Sequence, residues 1–291
     1  MTPLPASAPA DGGPGTVPVS RVPLGPRFVA RSGRPQGWSP AHRVLGPELD
    51  DTLDRVADER GTDRRAVAAV LLLDRYALRL TAPVLAAFHE LDVLLDARPE
   101  VVSLGPDPHA PGWLALAAPG RPARGDRAAL RASLLDGALL PLADDLAVRT
   151  RAGRRTLRAA VAHAVALSML HLSWRRPRPD ALVGPTRALL HDAGLGGLVV
   201  VGAVRVDGTD WMSVRRRACC LAFRTTSAAG RYCGACPVRP AAAVESDLAA
   251  AARSFSARAA PDPRPTPPNA LPNPLPNALP NSLPNPPGST P

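Results

Sequence analysis

All four cysteines of the chain fall within eighteen residues, as Cys219, Cys220, Cys233 and Cys236 in the segment RRRACCLAFRTTSAAGRYCGACPVRP. The two-residue spacing of Cys233-Gly234-Ala235-Cys236 lets both sulfurs face one centre, and Gly234 removes side-chain bulk where the backbone must turn. Four thiolates suit either a tetrahedral zinc ion or an iron–sulfur cluster. The adjacent pair bears on that choice. On an extended backbone, neighbouring side chains point to opposite faces, so aiming Cys219 and Cys220 at one small ion is strained. A two-iron cluster spreads its ligands over a larger object. Spacing alone therefore favours a [2Fe–2S] centre and leaves zinc open, with disulfides a distant third.

Charge and aromatic groups surround these thiols. Arg215, Arg216 and Arg217 directly precede the first pair. Guanidinium groups beside an anionic redox centre favour its reduced form, and they also attract an acidic donor. Trp211, Phe223 and Tyr232 flank the cysteines, where they would shield the centre, contact a substrate or pack in the core. Trp174 with Arg175, Arg176 and Arg178 offers a polar pocket or an exposed helix end. The histidines His42, His89, His109, His163, His171 and His191 show no close ligand pairing and read as core or surface groups. Asp144-Asp145 has no matching acid or base. Every one of the 35 basic residues is arginine, which excludes lysine Schiff bases and a P-loop lysine. Gly194-Leu195-Gly196-Gly197 precedes a strand-like run and has the wrong spacing for a dinucleotide fingerprint.

The elements that must position these groups are mostly helical. Pro47 to Asp51 opens like a first helical turn, and Leu49, Leu53 and Val56 follow at helical spacing. A longer helix, capped at Thr62 or Asp63, runs through Leu80, where Pro83 is expected to kink or restart it before Arg98-Pro99. Val101–Leu104 and Trp113–Leu116 read as a short hairpin. Residues 126–148 read as a helix interrupted at Gly137 and Pro141. Thr156 to Trp174 is apolar nearly all round and reads as the central buried helix. A helix at Pro185–His191, a strand at Leu198–Val204 and a last helix at Ala241–Phe255 complete the pattern. The expected fold is α+β, predominantly α: a mainly helical substrate-handling domain over 41–205 with a short β-hairpin, then a small cluster-binding region with a terminal helix over 206–258.

Prolines mark the ends. Residues 1–40 hold nine of the 36 prolines and residues 261–291 hold thirteen, so 1–40 and the LPN-repeat tail over 259–291 are expected to be disordered. The N-terminus lacks the pattern of a signal peptide, and no apolar run reaches the ~20 residues of a membrane span. A cytoplasmic monomer is expected. The net charge of +10 favours anionic partners and would permit weak peripheral contact with an anionic membrane.

Arg216-Arg217-Ala218-Cys219-Cys220-Leu221, then Phe223-Arg224, then Cys233-Gly234-Ala235-Cys236-Pro237, resembles the C-terminal signature of the ferric siderophore reductases of the FhuF type, which act on hydroxamate chelates. The resemblance is strong over residues 211–240. It is weaker at Arg75–Pro83 with Leu94-Leu95-Asp96, and at Thr156–Trp174. The interval Leu221–Tyr232 is twelve residues, longer than the family's usual one, a change that loop-closure entropy tolerates. The resemblance implies a [2Fe–2S] cluster on Cys219, Cys220, Cys233 and Cys236, a ferric siderophore as substrate, and one-electron reduction that releases ferrous iron. With no NAD or flavin site in the sequence, electrons would come from an external protein donor, ferredoxin or flavodoxin-like. Arg215, Arg216, Arg217, Trp211 and Tyr232 are the candidate substrate- and donor-binding residues. Other classes carry the same residues: a basic zinc-ribbon-like protein binding nucleic acid, although the aromatic-interleaved basic patch expected for single strands is missing; an iron or redox sensor using the cluster as a switch; or a siderophore-handling protein with a structural cluster. No nucleic-acid partner is expected.

Overall fold

The computed structural model describes residues 30–107, 113–117 and 120–259. They form an α+β, predominantly helical fold around one contiguous apolar core. Strands β1 (Ala30–Ser32) and β2 (Ser39–Pro40) lead into the short helix α1 (Ala41–Val44), then α2 (Leu49–Arg60) and α3 (Arg65–Leu91). Residues 30–40 are thus structured, contrary to expectation. β1 lies parallel to a later strand in register Ala30↔Leu114, so backbone pairing to a distant strand orders a segment whose composition alone could not. Residues 1–29 and 260–291, with the repeat tail, lie outside the described residues.

Helix α3 does not break at Pro83. Its 27 residues run through, with apolar side chains on both sides of the proline buried against a later helix. A missing N–H costs about 3 kcal/mol, and burial of Leu80, Val84 and Leu85, at about 1.5–3 kcal/mol each, outweighs it. The helix ends at Asp92 in the left-handed region (φ 52°).

After α3 come β3 (Val93–Leu94), β4 (Val102–Leu104), β5 (Leu114–Leu116) and β6 (Arg121–Pro122). β4 and β5 pair antiparallel as the expected hairpin, in register Val102↔Leu116, with the connection and His109 outside the described residues. The sheet they form is wider than expected, in the order β1-β5-β4-β2. The helical stretch expected from Asp126 divides into α4 (Arg127–Arg131), a π-helical segment at Ala132–Leu139, and α5 (Leu140–Thr150). Asp126 caps α4 by accepting from the Ala129 N–H.

The centre is α6 (Arg154–Ser173), buried along nearly its whole length and packed on α3. Thr81 on α3 hydrogen-bonds Ser168 at 2.8 Å and donates to the Ala164 carbonyl at 3.2 Å across that contact. Then follow α7 (Val183–Asp192), β7 (Val199–Val206), β8 (Thr209–Arg216) and α8 (Ala241–Ala259). β7 and β8 are a regular hairpin, with Val199 opposite Arg216 and Val206 opposite Thr209. Asp207 (φ 47°) and Gly208 (φ 82°) both occupy the left-handed region, the requirement of a two-residue turn whose twist matches the strands. The expected boundary at 205/206 falls on β7 itself, and the hairpin packs on α6, α7 and α8 alike.

Candidate metal-binding thiol site

β8 delivers the chain to the cysteines. Its last residue, Arg216, donates its backbone N–H to the Ala235 carbonyl at 3.0 Å, and Arg217 donates to Leu198 at 3.2 Å. These two bonds stitch the Cys233–Cys236 turn and the start of β7 to the end of β8. Within that turn the Cys236 N–H reaches the Cys233 carbonyl at 3.1 Å.

The chain turns directly after the adjacent pair. Leu221 adopts the left-handed conformation (φ 62°, ψ 5°), a placement that costs a branched residue on the order of 1 kcal/mol. The turn aims its N–H at the Cys219 Sγ, 3.3 Å away, while the Ala222 N–H bonds Cys220. Peptide N–H groups directed at sulfur stabilise the thiolate form.

Three of the four thiols form one hydrogen-bonded group. Cys220 accepts from both Cys219 and Cys233, and these two bonds, aided by Arg216, hold its thiol far below the usual range. The partners shift the opposite way: the bond to Cys220 and then burial raise Cys219 and Cys233. Cys236 is close enough to act electrostatically on both. Cys220 and Cys236 are buried, whereas Cys219 and Cys233 are partly open to solvent. The group therefore has a dry side and a wet side. Among the described residues, no three His, Cys, Asp or Glu side chains form a set arranged to hold a metal ion.

Beneath the dry side lies Arg216, one of the candidate substrate- and donor-binding residues. Arg216 is only 5% exposed, and its guanidinium bonds Asp74 on α3, with an N···O distance of 2.5 Å. His163 on α6 has Nδ1 3.8 Å from the same carboxylate oxygen. Burial works against the charge on Arg216, but Asp74, Cys220 and Cys233 more than offset it and keep the guanidinium firmly protonated. Burial, then the Arg216 charge, holds His163 neutral. Among the described residues, neither Arg216 Nε nor His163 Nε2 has a partner. Arg216 is thus an interior counter-charge to the thiols and not a contact for an external partner.

The other candidates separate. Arg215 is partly buried and Arg217 is exposed. Trp211 is buried in an edge-to-face group with Trp174 and Phe255, at centroid distances of 5.2 and 6.0 Å, so it packs β8 against α6 and α8. Trp174 donates its indole N–H to the Met212 carbonyl at 2.9 Å, and Arg176 pairs with Glu90, which removes both from the pocket considered for them. Tyr232 is 44% exposed and lies 5.2 Å from the Phe223 ring. Asp144 is taken up by Arg154 and Arg158.

Two contributors escaped the sequence reading. Asp74 sits 142 residues before its partner. Gly61, at the left-handed end of α2 (φ 62°), receives the cysteine loop: the Thr226 N–H bonds its carbonyl at 3.3 Å, and a Cβ at Gly61 would collide with the Thr226 side chain. A cleft of about 550 Å³ opens at this junction, lined by Gly61, Thr62, Asp63, Arg64 and Arg224. Position 61 reads in sequence as a helix stop; nothing local announces the docking.

Compared with protein-family models and with curated proteins, the chain matches none.

Proposed function

We propose that this protein is a one-electron reductase of ferric hydroxamate siderophores, working in the cytoplasm and releasing ferrous iron. The observation that carries the proposal is the grouping of Cys219, Cys220 and Cys233, with Cys236 near enough to act on two of them electrostatically, backed by the buried Arg216–Asp74 pair. Among the described residues the side chains are not arranged around a metal position, but the donor set and the charge suit a [2Fe–2S] centre: four thiolates are the ligands such a cluster takes, and a buried anionic group needs the nearby cation that Arg216 supplies. Cys219, Cys220, Cys233 and Cys236 would hold it, and when bound it would supply single-electron transfer.

The chain's own residues supply the setting. Arg216, fixed by Asp74, favours added negative charge at the sulfurs. The Leu221 and Ala222 N–H groups, donated to Cys219 and Cys220, do the same. The cleft between the α2–α3 turn and Arg224 is a concave surface beside the thiols, and we place the chelate there. Its arginines Arg64 and Arg224 suit a polar oxygen-rich ligand. Ferric iron held by hard oxygen donors accepts one electron, and the softer ferrous product matches that donor set poorly and leaves. Electrons would come from an external protein, ferredoxin or flavodoxin-like. Among the described residues no helix is long and apolar enough to cross a membrane.

Anaerobic purification followed by iron, sulfide and zinc analysis tests the reading. Two irons and two sulfides per chain, lost on Cys220→Ser, and single-turnover oxidation of the reduced protein by a ferric trihydroxamate are expected. A colourless protein with stoichiometric zinc overturns the reading. A cluster that ferric hydroxamate leaves reduced overturns the reductase and leaves a sensor.

A further inference from the structure

Between Trp211 and Val244 the chain carries six arginines and not one acidic residue. Arg216 is neutralised by Asp74 and Arg239 by Asp247. Arg217 and Arg231 are exposed, and among the described residues neither is ion-paired to a carboxylate. Next to these free charges stands exposed apolar surface. Large hydrophobic side chains left exposed among the described residues are Val148, Tyr232 at 44% and Val238 at 57%. The last two bracket Cys233 and Cys236. Tyr232 is not loose: its ring rests against Phe223, and the Arg224 guanidinium lies 5.6 Å from the Phe223 centroid. Arg217 follows the residue whose N–H bonds Ala235, and Arg231, Tyr232 and Val238 flank the Cys233–Cys236 turn, so the partly exposed Cys219 and Cys233 are bordered along the chain by an exposed aromatic, an aliphatic tip and unpaired cations.

We propose that this face, formed by Tyr232 and Val238 with Arg217 and Arg231, is the docking surface for an acidic one-electron donor protein. The inference rests on the electron-transfer reading above and adds where the donor binds and what its surface must be. Charge decides the occupant. A second copy of this chain would bring a like-charged face and be repelled, whereas an acidic protein is steered in. An aromatic and an aliphatic residue inside a charged rim match the make-up of a protein interface core. The electron balance is simple: the donor loses one electron at this face, and one ferric ion in the chelate gains it.

The experiment uses the full chain with an acidic plant-type ferredoxin as the probe, its binding measured calorimetrically at low and at physiological ionic strength, with iron and sulfide determined on the same samples. Binding that weakens with salt is expected, with about a tenfold loss in Arg217→Glu/Arg231→Glu. Arg121→Glu, the same kind of charge change on β6, should cost far less. Tyr232→Ser/Val238→Ser, which leaves charge untouched, should weaken the complex at both ionic strengths. Wild-type binding by the Arg217→Glu/Arg231→Glu protein, or an equal loss in Arg121→Glu, overturns the docking face while the iron content still supports the reductase. Tighter capture of a mixed-sequence single-stranded DNA than of the ferredoxin, abolished by the same reversals, also overturns it and gives the face to nucleic acid. Absence of cluster iron overturns the reductase reading separately, whatever the binding shows.

Discussion

Asp74→Asn tests whether Arg216 is a held counter-charge or simply a buried cation. The substitution keeps the shape of the carboxylate and removes its charge. Breaking a buried ion pair by removing one partner costs about 3–5 kcal/mol, and because the Asp74 side chain is 26% exposed the lower end, about 2–3 kcal/mol, is expected. Arg216→Met should cost as much or more, leaving Asp74 without its cation. The double variant Asp74→Leu/Arg216→Met replaces both charges with apolar groups and should cost well under the sum of the singles. Urea unfolding of the metal-free, reduced protein measures all three. A second readout belongs to the loaded protein. Charges on opposite sides of a guanidinium are on the order of 7 Å apart, and at an effective dielectric of about 20 they interact by about 2 kcal/mol. Removing the Asp74 charge should therefore raise the one-electron midpoint potential by roughly 90 mV, while Arg216→Gln should lower it. Additive single costs, or a potential that falls in Asp74→Asn, would refute the reasoning.

Two further outcomes follow from local geometry. His89 is pushed down to about 4, by burial and then by the Arg176 charge, so the folded state favours the neutral ring. Its contribution is complete above the unfolded value near 6.5 and is lost as pH falls toward 4, by on the order of 2–3 kcal/mol. Denaturant titrations of wild type and His89→Gln should keep a constant stability difference above about pH 6.5, which shifts by about 2–3 kcal/mol as pH falls toward 4, wild type alone losing stability. Leu221→Gly relieves the strain of the φ of 62° but gives up a partly buried side chain packed on the core and adds unfolded-chain entropy, so a net loss of about 1 kcal/mol is expected. Leu221→Pro removes the N–H that bonds Cys219 and forbids that φ; it should leave the thiols fully reactive to a disulfide reagent and abolish metal retention.

How far the sequence discloses this molecule depends on how local each determinant is. The helices were legible because apolar spacing repeats within each one, and the thiols because their grouping is confined to eighteen residues. No strand was expected where β8 lies, although Asp207-Gly208 after the run Leu198–Val204 carries a hairpin signal. Recognising it would also have placed Arg216 at a strand end on the inward face, since Met212, Val214 and Arg216 are the buried positions of its alternation. Pro83 misled because a backbone rule was applied without the tertiary burial that overrides it. Asp74 and Gly61 were out of reach for a different reason: Asp74 meets Arg216, and Gly61 meets Thr226, only after α2, α3 and β8 have packed. The thiol group is thus assembled locally but charged and seated from afar. A peptide spanning residues 211–240 would keep the cysteine spacing and lose both the Asp74 carboxylate and the Gly61 seat, so the electrostatics of the site belong to the whole fold.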